Sequence, residues 1–465
     1  MKKKIPVAIG GLYDVLIDDL SHDGLGIARI DGFLVFVKDA LPGERVVARI
    51  TNTKKNYGHG LAIDKIKTAA TRVQPLCSLF EACGGCQIQH MNYASQLEFK
   101  KNIVVRNMQK FAKIENPPVL DVIGMDDPWR YRNKTQVPFG LDENGEIVAG
   151  FYKSRSHEII DMSSCLVQTR VADDIVAAVK KFACEFGISP YIELQHEGVL
   201  RHVVIRVGFK TDQVMVVFVT RTPDLPHKEP LCQHLINKFP SIKSIAHNIN
   251  PQVTNVIFGE QTNTIYGEDY IKDFLDGLDF LISARSFYQV NPVQTEVLYR
   301  IVAQYANIGA ADIVFDAYCG IGTITLFLAR EAAVVYGVEI APDAIVDAKE
   351  NARINGLDNV NFEVGASEVV IPRLINEGIV PDVIVVDPPR KGCDVTLLEA
   401  IICAKPERVV YVSCDSATLA RDVKVLEEGG YKLEIMQPID LFPMTSHVEC
   451  VALISRKSRG RVEKA

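Results

Sequence analysis

From Ile313 to Val451 apolar runs of strand length alternate with helix-length amphipathic segments, and no other feature of the 465-residue chain limits its fold as much. The runs Ile313 to Phe315, Val334 to Val338, Val383 to Val386 and Val409 to Val412 carry no charge. A strand that is apolar on both faces must be covered on both, so these runs imply parallel strands joined by crossover helices, a doubly wound, Rossmann-like α/β sheet. Upstream the punctuation changes. From Val7 to Ile66 short β-rich runs are separated by glycine-marked turns such as Gly24-Leu25-Gly26 and Pro42-Gly43, which implies a small OB-like β-barrel of about five strands. Between the two lie a cysteine-bearing loop, a polar helical stretch near Ser95 to Phe111, and mixed strands and helices. The expected division is therefore residues 1–67, an α+β unit at 68–280, and 281–465, in keeping with two to four domains for this length.

With 48% hydrophobic and 23% charged residues the chain can bury real cores. Its eleven cysteines are too dilute for a disulfide scaffold, so clustered ones point to metal binding or chemistry. No window approaches the roughly 18 apolar residues of a membrane span, and the basic start at Met1 to Lys4 lacks an apolar signal region, so a cytoplasmic protein is expected. The net charge of −7 argues against a globally basic nucleic-acid coat. Residues 1–67 nevertheless hold eleven Lys or Arg against eight Asp or Glu, a local surplus of positive charge. The tail Arg456 to Ala465 reads as a solvating end.

Val314 to Thr323 is an apolar strand running into the loop Tyr318-Cys319-Gly320-Ile321-Gly322, and Glu339 ends the next strand. Glycines let a ligand approach the backbone, and an acid at the second strand's carboxyl end can accept hydrogen bonds from two ribose hydroxyls. The absence of a third glycine weakens the case for a dinucleotide, and with Asp387 in register the set points to S-adenosylmethionine. Asp387-Pro388-Pro389-Arg390 has an arginine where adenine and cytosine amino-methyltransferases carry a stacking aromatic, which argues for methylation of a carbon.

Val409 to Val412 leads into Ser413-Cys414-Asp415-Ser416, a thiol at a strand end beside a helix N-terminus, where the helix dipole favours the thiolate. Cys319, Cys393, Cys403 and Cys450 read as small buried residues instead. His447-Val448-Glu449 then precedes the apolar run Cys450 to Ile454, so Glu449 opens a strand returning to the same sheet edge. One thiol and one carboxylate are what methylation at C5 of uracil needs. The thiolate adds to C6 to make C5 nucleophilic, and after methyl transfer a base removes the C5 proton so that elimination frees the enzyme.

Ser286-Phe287-Tyr288-Gln289-Val290-Asn291-Pro292, the Asp316 to Gly322 loop, Asp387 to Arg390, Ser413 to Asp415 and His447 to Glu449, in this order, resemble the RNA 5-methyluridine methyltransferases over nearly the whole chain. The resemblance implies cofactor contacts from Gln289, Tyr318, Glu339 and Asp387 beside Gly320, a nucleophilic Cys414 and a proton-abstracting Glu449. Where the family often has Asn-Pro after the nucleophile, this chain has Asp415-Ser416. The N-terminal run order resembles the TRAM domain, an RNA-binding barrel, and its Lys54-Lys55-Asn56-Tyr57-Gly58-His59 loop sets two cations beside an aromatic, as either an RNA surface or a solvated hairpin tip.

Cys77-x5-Cys83-x2-Cys86 supplies three ligands from one loop, and Cys165 is the best fourth. Four thiolates suit Zn²⁺ or a 4Fe-4S cluster, and spacing does not separate them. The resemblance to the bacterial 23S ribosomal-RNA branch implies the iron–sulfur cluster. Trp129-Arg130-Tyr131-Arg132-Asn133-Lys134 interleaves the single tryptophan with three cations, which reads as an RNA contact or as a half-buried strand. The implied partner is RNA, 23S rRNA first, with no membrane, DNA or obligatory protein partner. Methylation of a tRNA T-loop uridine and a non-catalytic RNA-binding or redox-sensing role are the alternatives.

Overall fold

The computed structural model describes residues 5–457, so Met1 to Lys4 and the tail cations Arg459, Arg461 and Lys464 lie outside the described residues. Arg456 is no frayed tail: it ends the strand Glu449–Arg456, and its guanidinium donates to the Lys405 carbonyl at 3.0 Å.

The N-terminal strands form one six-stranded curled sheet in the order Leu12–Leu16, Arg45–Thr53, Tyr57–Lys67, Phe33–Lys38, Gly26–Ile30, Asp19–Leu20. Alternate residues of these strands (Val35, Val37, Val46, Ala48, Ile50) point inward and close the core. The sixth strand is only two residues long, too short to leave a pattern in the sequence. The expected loop near Lys54 shrinks to a three-residue turn, because Tyr57 to Lys67 is one long strand.

The middle sheet has seven strands in the order Gln261–Gly267, Ile242–Ile249, Val214–Thr220, Leu200–Val207, Lys134–Leu141, Ile147–Tyr152, Ile159–Asp161. The helix Arg170–Phe186 lays Ile175, Val176, Val179 and Phe182 on one face. Val204, Met215, Val217 and Val219 of the opposite face enter the C-terminal core.

The C-terminal sheet runs Val360–Val364, Val334–Glu339, Ile313–Ala317, Val383–Val386, Arg408–Ser413, Glu449–Arg456, Tyr431–Ile439, the first five parallel and Glu449–Arg456 antiparallel to both neighbours. Because side chains alternate, Val314, Val383, Val385 and Val410 fill one core, and Phe315, Ile384, Val386 and Tyr411 fill the other. The strand order reverses between Ile313–Ala317 and Val383–Val386, and in such sheets ligands bind at that crevice, beyond the carboxyl ends.

The helix Tyr93–Asn107 falls within the middle unit as drawn from sequence, yet its Val104, with Met108 and Ala112 just beyond it, packs in the C-terminal core against residues such as Leu419 and Met436. Its polar sequence hides this role, since Lys100 is fully buried with Asp440, Nζ to Oδ1 at 2.5 Å. No helix among the described residues is long and apolar enough to cross a membrane.

Candidate active site

The loop after Ile313–Ala317 turns at the switch point through three left-handed residues, Tyr318 at φ +71°, Gly320 at +56° and Gly322 at +83°. Glycine takes this conformation freely, but a tyrosine does so at a cost of about 1 kcal/mol or more, and such strain marks functional loops. The Glu339 carboxylate accepts from Gly320 N at 3.2 Å and Ala341 N at 2.9 Å, which ties the loop to the end of the neighbouring strand. Gln289 is buried just before the helix Pro292–Ala306, and its carbonyl accepts from Asn133 Nδ2 at 3.0 Å.

Three acids gather beneath this loop. Burial first, then the Asp387 charge, lifts Asp316 to about 7, although Thr325 Oγ1 donates to its Oδ2 at 2.6 Å. Burial alone lifts Asp387 to about 7. Glu449 is pushed well above the carboxylate range by burial and then by Asp387. Asp316 Oδ1 is buried without a partner. Buried Asp316 and Glu449 beside half-buried Asp387, with one oxygen orphaned, suit a cationic ligand, and S-adenosylmethionine carries an ammonium and a sulfonium. Asp316 was quoted in the sequence motif without a role. Its orphaned oxygen becomes visible only when the strand end is seen buried.

Cys414 follows Arg408–Ser413, and Asp415 caps the helix Ser416–Glu428, accepting from Ala417 N at 2.9 Å and Thr418 N at 3.2 Å. The substitution after the cysteine thus keeps its capping function. Ser413 faces Cys450 in the antiparallel register, and that register continued by one residue sets Cys414 opposite Glu449, whose charge reaches its thiol. The surroundings of the Cys414 thiol oppose the thiolate that the helix end favours. Burial first, then the charges of Glu449 and Asp387, push Cys414 up to about 11, with Arg390 pulling the other way. The helix end is outweighed by desolvation and two acids. Cys319, Cys393 and Cys450 are buried as expected, whereas Cys403 is exposed on the helix Val395–Ala404.

Cys77, Cys83, Cys86 and Cys165 are half-buried and line one cavity of about 380 Å³. Burial is the main cause of raised thiol values at Cys83, Cys86 and Cys165, with Cys86 pushed up to about 12. The cavity also takes two cations from the supposed RNA patch. Arg132 and Lys134 line it, and Arg132 Nε is buried without a partner. Arg130 is committed elsewhere, donating to Asp173 Oδ2 at 2.6 Å and to the Cys165 carbonyl at 2.5 Å, and Tyr131 is buried. Of the two readings of the Trp129 to Lys134 stretch, the half-buried one describes the placement of Arg130, Tyr131, Arg132 and Lys134.

On the barrel, Phe36, Tyr57 and His59 form an aromatic trio with centroids 5.6 to 5.7 Å apart. Phe36 and His59 line a groove of about 810 Å³ that runs to Cys83, Gln87 and Arg155, with Lys38 and Lys65 on its walls.

A doubly wound sheet with this cofactor loop defines a class of methyltransferases. The model of the tRNA (Uracil-5-)-methyltransferase family matches residues 241–457, and that of the TRAM domain matches residues 6–63. An uncharacterized RNA methyltransferase of Halalkalibacterium halodurans is 51% identical over 98% of this chain and 100% of its own length. One from Clostridium acetobutylicum is 49% identical over 98% and 99%. Among solved structures, the Pyrococcus abyssi tRNA (uracil-54, C5)-methyltransferase in complex with S-adenosyl-L-homocysteine has a TM-score of 0.76 at 29% identity, covering 95% of this chain and all of that one. The chain belongs to the RNA uracil-5-methyltransferase family and is an S-adenosylmethionine-dependent RNA methyltransferase with an N-terminal TRAM domain.

Because Cys414 titrates near 11, its neutral thiol predominates at neutral pH and the thiolate grows about tenfold per pH unit. Alkylation of Cys414 by iodoacetamide without cofactor, followed by peptide mass spectrometry, is expected to keep accelerating from pH 7 to pH 10. A plateau below pH 9 contradicts the burial argument.

Proposed function

We propose that the protein methylates C5 of uridine in 23S ribosomal RNA, with Cys414 as nucleophile and Glu449 as base. The observation that carries the chemistry is the cross-strand placement of Cys414 beside Glu449, implied by the Ser413–Cys450 register, at the carboxyl edge next to Asp387. S-adenosylmethionine supplies an electrophilic methyl group on a sulfonium. Gln289, Tyr318, Gly320, Glu339 and Asp387 would hold it, and the uncompensated acids of the crevice favour its positive charge.

The Cys414 thiol gives its proton to solvent water and forms a C–S bond to C6, and the C5–C6 π electrons shift to C5. C5 takes the methyl group from the sulfonium as the S–CH3 bond breaks, its electron pair staying on sulfur to leave the neutral thioether, S-adenosylhomocysteine. Glu449 then accepts the C5 proton, the C5–C6 double bond re-forms, and the C–S bond breaks to return the thiolate. The high proton affinity of Glu449 suits an acceptor, and Arg390 stands near enough to favour the Cys414 anion. Glu449→Gln is expected to leave a covalent protein–RNA adduct on a denaturing gel, which Cys414→Ala cannot form. Normal turnover by Cys414→Ala would sink this mechanism.

The cysteine cavity is read as the seat of a structural 4Fe-4S cluster on Cys77, Cys83, Cys86 and Cys165. What supports the reading is that the four thiols line one cavity of about 380 Å³, where four thiolates suit a cluster or Zn²⁺ alike. Anaerobically purified protein should be brown and hold about four irons per chain. Colourless protein with one equivalent of zinc overturns the assignment.

Ribosomal RNA is favoured by the extent of surface offered. The aromatic trio, the polar groove beside it and the active site together suit splayed bases of a large folded RNA. A second reading, tRNA, has its own support, because the Pyrococcus abyssi enzyme, titled for tRNA, matches 95% of this chain. Barrel and cysteine loop therefore do not separate the two substrates by themselves. Labelled S-adenosylmethionine with unmodified 23S rRNA and unmodified tRNA decides. Label is expected in the rRNA, and label entering only the tRNA reverses the choice.

A further inference from the structure

The turn Leu441 to Ser446, which leads into His447-Val448-Glu449, is held largely by residues distant in sequence. Lys100 Nζ donates to Phe442 O at 3.1 Å, and Tyr131 OH donates to Pro443 O at 3.0 Å. Met444 N donates to Gln96 Oε1 at 3.2 Å. The amides of Gln87 and Ile88 both donate to Met444 O, at 3.1 and 3.2 Å. Met444 needs this grip, because it sits at φ +69°, where an L side chain is strained. Its side chain is buried with Tyr131 and Val167 and packs beside Cys86 and Cys165.

Gln87 links this turn to the cysteine loop. Its Nε2 donates to Gly84 O at 2.9 Å, between Cys83 and Cys86, and its Oε1 accepts from Ser446 N at 3.4 Å. The loop it grips is itself pinned, with Gly84 N donating to Tyr152 O at 3.1 Å and Ser154 N to Ala82 O at 3.0 Å. One neutral side chain thus bridges the cysteine loop and the residue three positions before Glu449, while its backbone amide holds strained Met444. Cys414 and the Tyr318 to Gly322 loop depend on other strands.

We propose that Gln87 is a positioning residue for Glu449, carrying the conformation of the cysteine loop into the turn that aims the carboxylate at C5. The proposal rests on the reading of Cys414 as nucleophile and Glu449 as base. Its consequence is selective. Loss of the Gln87 side chain leaves cofactor binding and addition of Cys414 to C6 in place and slows removal of the C5 proton, since small misplacements of a reacting group cost large factors in rate.

The test uses the full-length protein with its RNA and S-adenosylmethionine, comparing wild type with Gln87→Met, which keeps the side-chain volume, and with Gln87→Ala. Both variants are expected to lose roughly tenfold or more in kcat, with KM for S-adenosylmethionine unchanged. With ordinary uridine RNA they should accumulate the covalent protein–RNA species on a denaturing gel, because release has become the slow step. With 5-fluorouridine RNA, whose C5 has no proton to remove, they should form the adduct to the wild-type level, which reports an intact fold and nucleophile. Wild-type turnover by Gln87→Met overturns the proposal. So does a loss of kcat without adduct on ordinary RNA, or with loss of the 5-fluorouridine adduct, because either result marks general damage. Absence of any adduct from the wild type on 5-fluorouridine RNA instead removes the catalytic reading on which the proposal stands.

Discussion

The ion pair between Lys100 and Asp440 is the constraint on which the catalytic end of the molecule depends. Both side chains are fully buried, and the pair is completed by Tyr93 OH donating to Asp440 Oδ2 at 3.0 Å. Burial presses the lysine toward its neutral form, and the carboxylate opposes this. Such a pair adds little net stability, but removing one partner strands the other charge at a cost of about 3–5 kcal/mol. Its value here is geometric. It fixes the helix Tyr93–Asn107 against the turn that follows Tyr431–Ile439, and the strand carrying Glu449 starts from that turn. Asn291 Nδ2 and Gln294 Nε2 donate to Leu441 O and Asp440 O from the start of the helix Pro292–Ala306, so the segment after Gln289 is gauged against the same point.

The crevice built around this point carries acids ahead of any cation. Asp316 and Asp387 both rise to about 7, Glu449 is pushed well above the usual carboxylate range, and Cys414 rises to about 11. The same electrostatics that suits a positively charged sulfonium opposes ionisation of the nucleophile, a coupling that follows from desolvation and like charges gathered at one sheet edge.

Much of this site was legible in the chain because parallel strands put their carboxyl ends on one edge. Once Ile313–Ala317, Val334–Glu339, Val383–Val386 and Arg408–Ser413 are recognised as strands, Tyr318, Glu339, Asp387 and Cys414 must share that edge whatever the packing around them. Burial was less legible. Arg130, Arg132 and Lys134 looked like a phosphate face, yet Arg130 is paired with Asp173 and the other two turn into the cysteine cavity. Cys403 looked like a core residue and lies exposed on a helix. Cys414 follows the strand end that its sequence marks, while the acids from other strands that raise its proton affinity leave no local signal.

The amino-acid sequence by itself determined the class of the C-terminal sheet, the cofactor loop, the cysteine and carboxylate at its edge and the barrel ahead of them, because alternation, glycine position and strand-end chemistry are local properties. Tertiary structure alone decided that Arg132 and Lys134 turn into the cysteine cavity, that a polar helix with a fully buried lysine belongs to the catalytic core, and that Gln87 touches both the cysteine loop and the catalytic turn. Those outcomes join residues up to 359 positions apart. No periodicity in the chain encodes such meetings, which are set by which faces are left to bury once each sheet has formed.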